Sequence, residues 1–281
     1  MAPPAEPPGD VANLFESERG CLLELLAAVS DDEWQLPTPC PAWTVLGLGC
    51  HLLGADFSLL SRHRDHHVGT PAPDGLTEAQ FIAWLDELQI EWVRAARRVS
   101  PRLLVDLLGW TGPQVVEVLE QQDPRSRTAH VSWAGPEPVP VWLDQVRELS
   151  ECWVHRQQLL QALGRPADLR SELVGPILDG LRWAYPYRLA AVPARPGDTV
   201  TVEIAGPVSL TWHLVAATAG WDFAPQPGAR RVAGLSMTTD QAWRLLTNNV
   251  AADHRATLGL SGDDRIADAL LRTRAIVGAP K

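Results

Sequence analysis

"ELSECWVHRQQLLQALGRP", residues 148–166, is the stretch on which the fold turns. It has no helix breaker before Gly164 and Pro166, so the spacing predicts a helix from about Val141 to Leu163 that stops at that glycine. Glu151 and His155 stand four apart, which on a helix puts them on one face, one turn from each other. Trp153, Val154, Leu159 and Leu160 flank them, so part of the pair faces an apolar interior. Burying a carboxylate is costly unless it is paired or bound to a cation. By composition alone about one such histidine–acid pair is expected by chance in this chain. The spacing therefore needs support from elsewhere.

That support comes from "TVLGLGCHLLGADFSLLSRHR", residues 44–64, a second predicted helix. His51 lies in its apolar middle among Leu48, Leu52 and Leu53. A lone histidine there is more often a hydrogen-bonded core residue, but two helices that each send a metal-type ligand inward are less usual. His, Glu and His form a common three-ligand set for a catalytic ion such as zinc, with a fourth position open to water or substrate. His63 and His67 are a competing pair. They sit among Arg62, Arg64, Asp65 and His66 at a helix end and are expected to be solvated. His51 and His63 are about 18 Å apart along a continuous helix and cannot share an ion.

Further out, "VANLFESERGCLLELLAAV" after Asp10 reads as a first helix, and "TEAQ" at Thr77–Gln80 has capping-box spacing and opens another. "LLVDLLGW" and "PQVVEVLEQ", residues 103–110 and 113–121, read as short elements in a less regular stretch. Four main helices with longer connections predict an all-α four-helix bundle over residues 10–168. "DTVTVEIAGPVSLTWHLV" has the alternation of strands, while "TTDQAWRLLTNN" and "DDRIADALLRTRAIV" read as amphipathic helices. Residues 170–281 are thus expected to form a small α+β domain.

The bulk numbers exclude several partners. The 281 residues suit two domains, and 46% hydrophobic against 21% charged residues is ordinary for a chain with a real core. A net charge of -10 repels polyphosphate, so no nucleic-acid partner is expected. Cys21, Cys40, Cys50 and Cys152 are in no paired spacing, which points to a reducing cytoplasm. Cys50 and Cys152 are expected to be core fillers. No apolar run reaches membrane-spanning length, and "MAPPAEPPGD" lacks the pattern of a signal peptide. There is no GxSxG, phosphate loop or dinucleotide fingerprint. No pattern indicates an oligomeric state.

"TPCPAWTVLGLGCHLLG", residues 38–54, and "ECWVHRQQLLQALGRP", residues 151–166, resemble the signature segments of the mycothiol-dependent maleylpyruvate isomerase family. The resemblance covers nearly the whole chain. It implies a DinB-like metal-binding helical bundle, then a sterol-carrier-like α+β domain. Carried over, His51, Glu151 and His155 are the metal ligands, and mycothiol is the thiol cosubstrate. The implied activity is attack of a metal-activated thiolate on a small-molecule electrophile, ending in cis/trans isomerisation or thiol S-transfer. Many members carry an Asp three residues after the second histidine, where this chain has Gln158. The family also holds a substrate carboxylate with an arginine of the second domain, for which Arg244 and Arg255 are candidates and Arg244 is preferred. The alternative is a non-catalytic, metal-stabilised protein that binds a lipid or another small molecule.

Overall fold

The computed structural model describes residues 3–4, 6–218, 220–249 and 257–275. It divides into two compact units. One holds residues 10–123 with 147–168, and the other holds residues 124–146 with the chain from Leu169 onward and the N-terminal segment.

The first unit is helical. α1 (Val11–Ala27) starts where Asp10 accepts from the Asn13 amide, and α2 (Val45–Leu59) starts where Thr44 accepts from Gly47. α2 closes in a π-helical turn, Leu60–Arg64, which carries His63. α3 (Glu78–Ala96) opens on the expected capping box of Thr77 and Gln80. α4 (Pro101–Gln121) begins at Ser100, whose side chain accepts from Leu103, with Pro101 at the first turn. α5 (Val141–Ala162), which belongs to this unit from Arg147 on, carries Glu151 and His155.

α4 overturns the expectation of four helices. The stretch read as two short elements is one 21-residue helix, so five long helices precede residue 168. Pro113 suggested a break, since an internal proline costs ~3 kcal/mol. Leu104, Leu108, Val115, Val118 and Leu119 recur at helical spacing around it, and all are buried. At roughly 1.5–3 kcal/mol for each buried side chain, that stripe outweighs the proline several times over. It packs against α1 and α2.

The second unit is α+β. After α6 (Ser171–Leu181) and α7 (Ala184–Leu189) come β1 (Asp198–Ala205), β2 (Leu210–Ala217), β3 (Gly220–Ala224) and β4 (Arg230–Thr238). α8 (Thr239–Leu246), β5 (Gly259–Gly262) and α9 (Asp264–Leu271) follow. The sheet order is β3-β2-β1-β4-β5, with β1 and β4 parallel and the other pairs antiparallel. β1 lies at the centre, and Val200, Val202 and Ile204 are buried there. Trp243 and Leu246 of α8 and Leu270 of α9 are buried in the same unit. No helix among the described residues is long and apolar enough to cross a membrane.

Candidate metal centre

The site is built on α2 and α5. Before α2, the Thr38 hydroxyl donates to the Trp43 carbonyl at 2.9 Å and accepts from the Cys40 amide at 3.1 Å. These bonds knit the proline-rich loop and hold Cys40 and Trp43 in place. Two helical turns on, His51 is buried within α2, and the Trp43 ring stacks on its imidazole, centroids 4.6 Å apart and planes 24° apart. The His155 ring meets His51 edge to face at 4.7 Å.

Both imidazoles turn Nε2 toward one oxygen. Glu151 Oε1 is 3.3 Å from His51 Nε2 and 3.0 Å from His155 Nε2. One ligand atom from each of the three residues lies within 4.8 Å of the others. The far sides of the rings are occupied as well. His51 Nδ1 meets Gln89 Oε1 of α3 at 3.1 Å, and His155 Nδ1 meets Gln158 Oε1 at 2.7 Å. A carboxamide oxygen only accepts, so each Nδ1 donates its proton there, and each Nε2, when it carries no second proton, presents a lone pair. Two lone pairs and a carboxylate oxygen then face one point. That arrangement demands positive charge, and it is the tautomer a metal ligand needs.

The electrostatics agree. Burial works against a charged His155, but the Glu151 carboxylate, with Cys40 nearby, pushes its pKa up to about 10. Burial holds His51 below its ordinary value despite the contact with Glu151. Burial alone would raise the Glu151 carboxyl, yet the charge and hydrogen bonds of the two histidines hold it well below the usual range. Without a cation, therefore, one proton rests on His155. A divalent ion fits the same three atoms, and the Glu151 side chain keeps 30% of its surface exposed, leaving an approach from outside.

Most sequence-derived candidates are placed here. His51, Glu151 and His155 come together, and His63 and His67 are exposed at the end of the π turn, outside the cluster. Cys50 and Cys152 are buried, and burial pushes the Cys50 thiol up to about 11 and Cys152 further still, so neither is a thiolate near neutral pH. Gln158, where the resemblance leads one to expect Asp, lies beside His155. It still orients His155, without charge, and also accepts from the Cys40 thiol at 3.1 Å. Arg244 belongs to the α+β unit, where its Nε donates to Asp240 at 2.8 Å and its guanidinium lies 4.4 Å over Trp243. Arg255 lies outside the described residues. Sequence reasoning missed Gln89, which is 38 positions from its partner and has no local signal. It also missed Trp43 as a cover for His51, although that tryptophan lies in the signature segment.

Residues 15–160 match the family model described as the mycothiol maleylpyruvate isomerase N-terminal domain. The chain belongs to this family. Two relatives, uncharacterized proteins from two strains of Mycobacterium tuberculosis, are each 30% identical over 236 residues, covering 82% of this chain and 82% of theirs. Among solved structures, the crystal structure of the mycothiol-dependent maleylpyruvate isomerase and that of its histidine-to-alanine mutant share the fold. Each has a TM-score of 0.53 at 14% identity and covers 92% of this chain and 93% of its own.

Proposed function

We propose that this chain is a mycothiol-dependent metalloenzyme, with His51, Glu151 and His155 as ligands of a divalent ion, zinc by the chemistry of the donor set. The observation that carries the reading is the convergence of both Nε2 atoms on Glu151 Oε1 while both Nδ1 atoms are held by glutamine oxygens. Such an ion supplies charge that keeps a bound thiol deprotonated near neutral pH. Gln89 and Gln158 hold the imidazoles in the binding tautomer, and Trp43 shields one face of His51 from water. Glu151 lowers the net charge of the site by one.

The thiolate adds to an electrophilic carbon of the substrate, and the electron pair of the double bond moves to the conjugated carbonyl. Rotation about the new single bond and expulsion of the thiolate give the isomer. Retention of the adduct, with a proton taken up on carbon, gives S-transfer. Maleylpyruvate is the substrate in the structural relatives' names and is the first to try here. The carry-over of a substrate-holding arginine to Arg244 is supported by the family resemblance, although its Nε is engaged by Asp240. A reducing cytoplasm suits four cysteines that are all free thiols.

The test is incubation of zinc-loaded protein with mycothiol, maleylpyruvate and a panel of other unsaturated electrophiles, followed by mass spectrometry. A product of unchanged mass means isomerisation, and a thiol adduct means S-transfer. No thiol-dependent consumption of any electrophile would sink the reading.

A further inference from the structure

Arg19, on α1, is buried, with 5% of its side chain exposed. Its Nη2 donates to Asp56 Oδ1 at 2.6 Å, and the other Asp56 oxygen accepts from the Thr111 hydroxyl. Its Nε and Nη1 are buried and meet no acceptor among the described residues. Unmet donors on a buried cation are costly, and structures seldom keep them without a reason. The side chain is held where it lies. A Cβ on Gly112 would come within 2.8 Å of Arg19 Cγ, so only glycine leaves room for the stem, and the Phe15 ring sits 5.4 Å from the guanidinium.

Arg19 lines a cleft together with Asp56, Glu148 and Glu151, with Phe15 and Ala55 among the apolar walls. Counted out to its mouth the cleft holds about 290 Å³, and its inner part has room for about one water molecule, the size of a carboxylate oxygen. Two of the acids along it are already served, Asp56 by Arg19 and Thr111 and Glu148 by Arg147 at 2.6 Å, and Glu151 belongs to the metal centre. The unmet demand is for an acceptor. Arginine stays charged at any working pH, and its planar donors suit a carboxylate. Glu151 is common to the cleft and the metal centre, so a group reaching Arg19 lies beside that centre.

We propose that Arg19 anchors a carboxylate of the small-molecule substrate, which enters the cleft past Glu151. This rests on the metalloenzyme reading above and narrows its substrates to carboxylic acids. Arg19 binds the substrate's acid end and takes no part in the bond changes. A divalent ion at the three ligands adds two positive charges beside Glu151, so a second anion is not repelled from the loaded site.

The experiment is calorimetric titration of zinc-loaded protein, without thiol, with maleate and with its neutral diamide, maleamide. Maleate should bind at least about tenfold more tightly than maleamide. Arg19→Lys keeps a cation opposite Asp56 but lacks the two unmet donors, and it should weaken maleate at least about tenfold at unchanged zinc content. Ala55→Leu fills the cleft and leaves the Arg19–Asp56 pair alone, and it should do the same. Equal maleate affinity in folded Arg19→Lys, or no maleate binding to the parent protein, overturns the proposal and leaves water as the occupant. Should Arg19→Lys not fold, unchanged affinity in Ala55→Leu overturns it instead. The result is separable from the proposed function. Arg19-dependent binding without thiol-dependent turnover removes the function alone, whereas turnover with Arg19-independent binding removes the anchor alone.

Discussion

His155 and Arg156 are neighbours on α5 and serve two buried clusters of opposite character. Arg156 makes a bidentate pair with Glu18, whose side chain is fully buried, and also reaches Asp168 at 2.9 Å. There, donors and acceptors meet. His155, with His51 and Glu151, makes a cluster in which acceptors outnumber donors unless a cation is added. Both clusters set a carboxylate against a nitrogen base, so ion pairing by itself does not tell a fold-holding pair from a chemical one. The mismatch of donors and acceptors does.

The harshest way to break the comparison is to unbalance the balanced cluster. Glu18→Ala leaves the Arg156 guanidinium buried without its main partner, and it should cost about 3–5 kcal/mol in urea unfolding. Zinc per folded chain should be unchanged. A loss under about 1 kcal/mol would mean that the pair does not hold the helices together.

His155→Ala attacks the other cluster and should show the reverse pattern. Elemental analysis should find about one divalent ion per chain in the parent protein and little in the variant. Equal metal content would remove the three residues from the site. A milder change, Gln158→Ala, leaves the ligands and frees the His155 ring to turn. Chelator competition should show metal affinity about 10–100-fold weaker. Unchanged affinity would mean that the glutamine does not set the tautomer.

Acidity separates the clusters without mutation. His155 is charged in the metal-free fold up to about pH 10, well above its value in an unfolded chain. Its contribution to stability is therefore complete below about pH 6.5 and is lost as pH rises toward 10. Urea midpoints of protein held in chelator should fall over that window. Zinc-loaded protein should fall less, because the lone pair is then occupied by the ion. Identical slopes with and without chelator would contradict the assignment. Smallest of all, replacing the exposed His63 and His67 with Ala should change stability by under about 0.5 kcal/mol and leave metal content alone.

Legibility followed the range of the interactions involved. Glu151 and His155 are one helical turn apart, so local geometry sufficed to pair them. His51 was found because a histidine among leucines is conspicuous. α4 was misjudged because Pro113 is a local signal, while the burial that overrides it comes from α1 and α2. Glu18 and Arg19 are charged residues on α1, with no local signal that they are buried. Both are buried, because Arg156 and Asp56 arrive from other helices to receive them, and Thr111 donates to the other oxygen of Asp56.

By itself, then, the sequence determined the family, several helix caps and the main helices and strands apart from α4, and it singled out His51, Glu151 and His155 as candidate ligands, because periodicity, capping and short motifs act over a few residues. Only the tertiary structure decided that α4 is continuous, that Gln89 and Gln158 meet the Nδ1 atoms of the two imidazoles and that Arg19 keeps two donors unspent. Each of those depends on which distant groups share a buried volume, and so on whether a polar atom there finds a partner.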